Sequence, residues 1–390
     1  MAATIVSGAS PHAATAAKLA GARAPGQFNV AAHGLRGIAS LMVLGAHIIG
    51  GTARHIYSHD IEYVRLVERP WYVGTFGVEL FFIISGFVIA PSAIRYAPGN
   101  FALRRTLRLY PLFLVFTLLF AGLNFLTNAY PRLNNVESVL SGLLFINLFT
   151  GTEQLAPNAW SLTYEVMFYA LTCLVAYFAI RRKSPILLAA SIALCAAFVI
   201  SFPISLFFLA GVAIHFGYRK LAVPKGLRHP LEAALLIAAL SLASVGHFEY
   251  HLADLAHPVV IPLIISSSLY FLLAVSPDSL THRAMDNAAA NYFGKISYSV
   301  YLVHPFVYFA IRQIFAHYGW FTTNIGASMA AFAITVFSLS IAASHYVHLS
   351  LEQWPYQWYF RQRVYRDRAP AAAPQAHVDA AETPAQAPPR

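Results

Sequence analysis

Arg36 and His47 stand eleven residues apart in LRGIASLMVLGAH, residues 35–47. At ~100° per residue a helix returns them to within about 20° of one face, separated by roughly 16 Å of rise. One line of side chains would then run from a guanidinium at a membrane surface to an imidazole near the bilayer midplane. An arginine there can be an anchor, and a histidine can be bonded to a neighbouring helix. An ionisable group inside an apolar run is nevertheless a functional candidate by default. Imidazole, with an ordinary pKa near 6.5, is suited to taking a proton from a hydroxyl.

Other residues of the same kind follow along the chain. GVELFFIISGFVIA holds Glu79 near one boundary, and Ser85 with Gly86 about ten residues into the span. A Ser-Gly pair fits close helix packing, and an acid beside LFFII calls for a buried partner. LRRTLRLYP, residues 103–111, places Arg105 and Arg108 three apart, on one side of a helix, where they can clamp phosphates. NAWSLTYEVMFYA places Trp160 at an interface and Glu165 a turn and a half deeper. GKISYSVYLVHPFVYF carries His304 at the depth of His47, followed by Pro305, which frees a backbone carbonyl. Two midplane histidines approached by serine and glutamate read as a proton-handling site. Glu352 in SLEQWP is expected to fix a helix end by pairing with a loop arginine.

The elements that must position these groups are membrane helices. The chain has 390 residues, 58% hydrophobic and 11% charged, with a mean hydropathy of +0.58. Soluble domains carry about 25% charged residues, so most of this chain belongs in a bilayer. Apolar runs at about 37–51, 75–94, 109–127, 162–180, 185–202, 204–218, 230–247, 257–276, 294–316 and 325–350 predict an all-α polytopic membrane protein of about ten transmembrane helices. The stretch 138–149 is too short to span and reads as a re-entrant or interfacial helix.

Alternate connections carry Arg95, Arg104, Arg105 and Arg108; Arg181, Arg182 and Lys183; Arg219, Lys220, Lys225 and Arg228; and His282 with Arg283. The intervening ones are poorer in Lys and Arg, apart from 52–74, where Arg54, Arg65 and Arg69 are balanced by Asp60, Glu62 and Glu68. This pattern predicts cytoplasmic N and C termini. It also explains the formal charge of +10 without nucleic acid. Residues 1–33 read as a flexible N-terminal segment, 34–360 as the transmembrane domain, and 361–390 as a disordered Ala/Pro-rich cytoplasmic tail. Cys173 and Cys195 lie in apolar runs and imply no disulfide, zinc site or nucleophile.

These depths sort the candidates into arginines below, histidines in the middle, and carboxylates with tryptophan above. The five segments above, in this order, closely resemble the membrane acyltransferase-3 family across residues 30 to 360, in the stand-alone form without a fused periplasmic domain. SLEQWP is similar to its closing Glu-x-x-Pro segment. The resemblance implies O-acylation of a glycan hydroxyl such as exopolysaccharide or O-antigen, with acetyl-CoA or another acyl-CoA as co-substrate and no permanently bound cofactor or metal. It implies a bacterial inner-membrane enzyme whose acceptor is a glycan or lipid-linked glycan. His47 becomes the expected catalytic residue, with Glu165 and His304; Arg36, Arg105 and Arg108 become donor-binding; Glu79, Ser85 and Trp160 become acceptor-binding or supporting. A proton-coupled transporter or flippase is the alternative from another class. The cytoplasmic arginine pair, which proton coupling does not need, and the absence of an inverted repeat weigh against it.

Overall fold

The computed structural model describes residues 28–128, 130–156, 158–220 and 223–367, the last seven and Lys225 by backbone alone. Helix α1 spans Val30–His55, with the Asn29 side chain accepting from the Ala32 amide at its N-terminus. That cap starts the helix four residues inside the stretch expected to be flexible. α2 is Ile61–Thr75, capped by Asp60, and α3 is Gly77–Arg95. α4 is Pro98–Thr127. Two short helices, α5 at Val136–Leu143 and α6 at Asn147–Thr150, occupy the stretch judged too short to span.

α7 is Trp160–Ala176 and continues as a π turn through Arg181. α8, Pro185–Ser201, and α9, Leu206–Gly217, follow, with a 3₁₀ turn at Pro203–Ser205 between them. α10 is Lys225–Ala243, α11 is Val260–Ala274 and α12 is Leu280–Met285. α13 is Ala288–His317 and α14 is Ile325–Val347. A π turn at His348–Gln353 leads into α15, Trp354–Asp367. α15 enters the segment expected to be a tail, whose Arg and Gln residues are good helix formers. Residues 1–27 and 368–390, where the rest of the expected flexible ends falls, lie outside the described residues.

Among the described residues there is no strand, and the protein is all-helical. Six helical stretches are long and apolar enough to cross a membrane: Val30–His55, Ile61–Arg95, Pro98–Thr127, Trp160–Arg181, Gly226–Ala243 and Ile325–Phe360. The pair split by Pro203 bends by 119° and makes a seventh if it is one broken span. α11 has 15 residues, about 22 Å, against a hydrocarbon core of about 30 Å. α13, at 30 residues, is not among the six, because it carries Lys295, Ser297, Ser299, His304 and Arg312. Most of these polar groups face other helices: Ser297, Ser299 and His304 are fully buried.

Two glycine contacts fix the helices that matter for the site. Gly86 on α3 and Gly211 on α9 place each backbone against the other helix, so that a Cβ at Gly86 would strike the Phe208 carbonyl and one at Gly211 the Ile83 carbonyl. Gly86 therefore serves packing, as a Ser-Gly pair allows. Gly86→Val is expected to destabilise the protein by about 1–3 kcal/mol, read as a lower unfolding temperature in detergent. The second contact joins α1 to α13, where a Cβ at Gly37 would fall 2.8 Å from the Gly294 nitrogen.

The α1–α13 contact continues in register. Gly37 meets Gly294, His47 meets His304, and Gly51 meets Tyr308, each partner 257 positions later. Partner numbers that rise together mean that the two helices run parallel.

Candidate functional site: an arginine-lined cavity beside a histidine pair

Five helices supply the polar groups of the site. α1 supplies Arg36 and His47, α3 Ser85, α4 Arg105 and Arg108, α7 Ser161, Glu165 and Tyr169, and α13 Tyr298, Tyr301 and His304. Arg36, Ser85, Arg105, Arg108, Glu165 and Tyr169 line one cavity, about 660 Å³ of free space including its open mouth.

Within that cavity the carboxylate is tied down, and two of the three guanidiniums are not. Ser85 Oγ donates to Glu165 Oε1 at 2.7 Å, and the Tyr169 hydroxyl donates to the same oxygen at 2.5 Å. Both donors use one oxygen, which leaves Oε2 for the cavity. Arg105 donates through Nη2 to Ser92 Oγ at 3.0 Å and lies 5.5 Å from the Tyr169 ring centroid, while its buried Nε has no partner. Among the described residues no arginine makes an ion pair within 4.0 Å, and Arg36 and Arg108 make no side-chain hydrogen bond. Three cations therefore share the cavity with a single carboxylate, Glu165, and none of them is in ion-pair contact with it. Such a space attracts phosphate or carboxylate groups, for which the guanidinium fork is the best protein match.

Arg104, just before the phosphate-clamp candidates, is built differently. It donates to the Tyr356 hydroxyl at 3.0 Å and sits 4.4 Å from the Tyr96 ring and 4.2 Å from the Phe360 ring. Its role is to hold the helix after the last π turn against α4.

The histidines form their own unit next to this cavity. Val43 O accepts from His47 Nδ1 at 2.9 Å, and Val300 O accepts from His304 Nδ1 at 2.8 Å. A carbonyl can only accept, so the proton of each ring is on Nδ1. His304 Nε2, 3.3 Å from His47 Nδ1, is then a second acceptor for the His47 N–H. His304 is fully buried with both nitrogens engaged, so it acts through His47. His47 is partly exposed, and its Nε2 keeps a lone pair that no protein donor occupies.

The sequence anticipated serine and glutamate beside the histidines, but no hydrogen bond joins Ser85 or Glu165 to either ring. Tyr301 stands between the two groups: it lines the cavity, and its ring centroid is 6.2 Å from that of His304. Its hydroxyl donates to Asn158 O at 2.8 Å and accepts from Ser161 Oγ at 2.8 Å. The Tyr301 carbonyl, freed because Pro305 has no N–H, accepts from Asn158 Nδ2. Ser161, Tyr169, Tyr298 and Tyr301 were missed from sequence. Ser161, Glu165 and Tyr169 recur every fourth residue on one helix face, which was the available signal.

Three remaining candidates lie elsewhere. Glu79 is buried against the Tyr250 hydroxyl, outside the cavity lining. Trp160 lies at the start of α7, 6.5 Å from the Phe82 ring and 5.9 Å from Tyr164, and is also outside the lining. Glu352 does not meet a loop arginine: its Oε2 accepts from His348 Nδ1 at 2.7 Å and from Ser299 Oγ at 2.9 Å. The π turn brings His348 and Glu352 onto one side, within reach of α13.

Comparison with known proteins agrees with this geometry. A family model described as an acyltransferase domain matches residues 29–347, which hold every cavity residue named above and the His47–His304 pair. Relatives include the exopolysaccharide production protein ExoZ of Rhizobium meliloti (strain 1021), 26% identical over 71% of this chain and 88% of its own. Another is the acyltransferase MdmB of Streptomyces mycarofaciens, 27% identical over 82% of this chain and 89% of its own. No solved structure matches the chain. With more than three-quarters of its length inside that model, this chain belongs to the membrane acyltransferase-3 family and is an acyltransferase.

Proposed function

We propose that the protein transfers an acyl group, in the first instance acetyl, from acyl-CoA in the cytoplasm to a hydroxyl of a bacterial surface glycan. The observation that carries this reading is the set of three guanidiniums, none in an ion pair and outnumbering the one carboxylate of their cavity, on the same helical framework as the His47 lone pair. The phosphates of the donor lie on Arg105 and Arg108 with Arg36 beside them. The phosphopantetheine arm covers the roughly 16 Å of helix rise from Arg36 to His47. Glu165 Oε2 accepts from an amide N–H of that arm. At the far end His47 Nε2 takes the proton of the acceptor hydroxyl as its oxygen attacks the thioester carbonyl. The thiolate of CoA leaves and is protonated by the imidazolium, whose charge His304 Nε2 and Val43 O stabilise.

Ten spans with cytoplasmic termini form the matching topology in the bacterial inner membrane. Parallel α1 and α13 support it, since seven crossings between the first and ninth spans return the chain to its starting side. The glycan acceptor is supported by ExoZ, whose name concerns exopolysaccharide production. Membranes containing the protein are expected to move label from acetyl-CoA into the cell-envelope glycan fraction. No transfer above membranes lacking the protein, with acceptor glycan present, overturns the reading.

A further inference from the structure

Pro305 leaves the Tyr301 carbonyl without the helix partner that an N–H at residue 305 would supply. That carbonyl lies three residues before His304 on α13, within hydrogen-bonding range of the His304 ring. The ring nevertheless also has the next carbonyl back, and its Nδ1 donates to Val300 O at 2.8 Å. Which of the two acceptors it uses turns the imidazole and decides where Nε2 points. With Nδ1 on Val300 O, Nε2 lies 3.3 Å from His47 Nδ1.

Asn158 occupies the competing acceptor. Its Nδ2 donates to the Tyr301 carbonyl, while its own backbone carbonyl accepts from the Tyr301 hydroxyl at 2.8 Å. Ser161 Oγ meets the same hydroxyl at 2.8 Å, so Tyr301 is held at both ends. Among the described residues, every hydrogen bond between the stretch 158–176 and α13 ends on Tyr301. Asn158 is 2% exposed, and its Oδ1 is buried with no partner. A carbonyl only accepts, so the amide has to turn its N–H to Tyr301 and leave its oxygen open. An open buried acceptor costs stability, which a residue kept for packing alone would avoid.

We propose, on the acyl-transfer reading, that Asn158 is a positioning residue for that reaction: it keeps the Tyr301 carbonyl occupied, so that His304 stays on Val300 O and presents Nε2 to His47. Without the Asn158 N–H, the freed carbonyl takes the His304 Nδ1–H. The imidazole then turns, and the His47 N–H loses its second acceptor. Asn158 acts through His304 and touches no substrate. It sits two residues before α7, which carries Ser161 and Glu165 of the arginine-lined cavity, and so links that helix to the helix of His304.

The test is a pair of double-mutant cycles on the full-length protein, read as single-turnover transfer from labelled acetyl-CoA. Asn158→Ala is expected to lower the rate by up to about tenfold, the loss expected of His304→Ala, with the acyl-CoA KM unchanged. In a His304→Ala background the same substitution is expected to cost less than about twofold, because the ring to be positioned is gone. In a Pro305→Ala background it is again expected to cost less than about twofold, because the restored N–H occupies the Tyr301 carbonyl. Each background is compared with itself, and a merely structural Asn158 predicts the same loss in all three. Asn158→Leu, similar in volume and without a side-chain N–H, repeats the series if the alanine variant has a lower unfolding temperature. Full activity of the single variants, or an equal loss in either background, overturns the proposal. A wild-type protein that moves no label overturns the acyl-transfer reading and this assignment with it. An active wild type with equal losses overturns the assignment alone.

Discussion

His47→Ala is expected to lower kcat for acyl transfer by about 10²–10⁴-fold, the range for a positioned general base. The acyl-CoA KM should change little, because the proposed donor site is the arginine-lined cavity one helix end away. The large effect follows from the proton arrangement. His47 Nδ1–H is committed to Val43 O and His304 Nε2, so Nε2 is the one ring position that can take a proton from a substrate. His304→Ala leaves Val43 O in place and is expected to cost about tenfold, the net value of one hydrogen bond to a group that becomes charged. Single-turnover transfer from labelled acetyl-CoA, at matched amounts of folded protein, reads both. A His47→Ala protein as active as the wild type removes the histidine from the chemistry.

The second large effect is at the donor end. Arg108→Ala is expected to raise the acyl-CoA KM by about 10–150-fold, the loss of one hydrogen bond to a charged group, with kcat nearly unchanged. Arg108 is the clean test among the three arginines. It makes no side-chain hydrogen bond, whereas Arg105 also holds Ser92 and packs on Tyr169. Arg108→Lys keeps the charge without the fork and is expected to recover part of the loss. Titrating acyl-CoA at fixed acceptor measures both variants. An unaltered KM for Arg108→Ala moves the phosphates away from this cavity. A proton-coupled transporter would show no dependence on acyl-CoA at all.

How far the site was legible from sequence depended on distance along the chain. The i,i+3 spacing of Arg105 and Arg108 set them on one side of a helix, and both line the cavity. The same rule left Arg104 undecided, because its aromatic holders, Tyr96 and Phe360, come from separate elements. Glu165 stood out as an acid in an apolar helix. Ser85 was singled out as well, but its bond to Glu165 was not legible across 80 residues, and Tyr169 reads as one more aromatic in an apolar run. Glu79 was expected to be buried against a partner, and packing supplies that partner in Tyr250.

What the sequence determined by itself was the all-helical membrane character, through apolar runs too long and too poor in charge for water. It also determined how far apart ionisable groups of one helix lie along its axis, because rise per residue is constant within a helix. The tertiary structure decided which groups meet. Parallel packing of α1 and α13 at Gly37 and Gly294 sets the register that puts His304 on His47 and fixes the free nitrogen. A shift of one helical turn would leave every local pattern intact and break that pair, because contacts between residues 257 apart depend on packing rather than on local spacing.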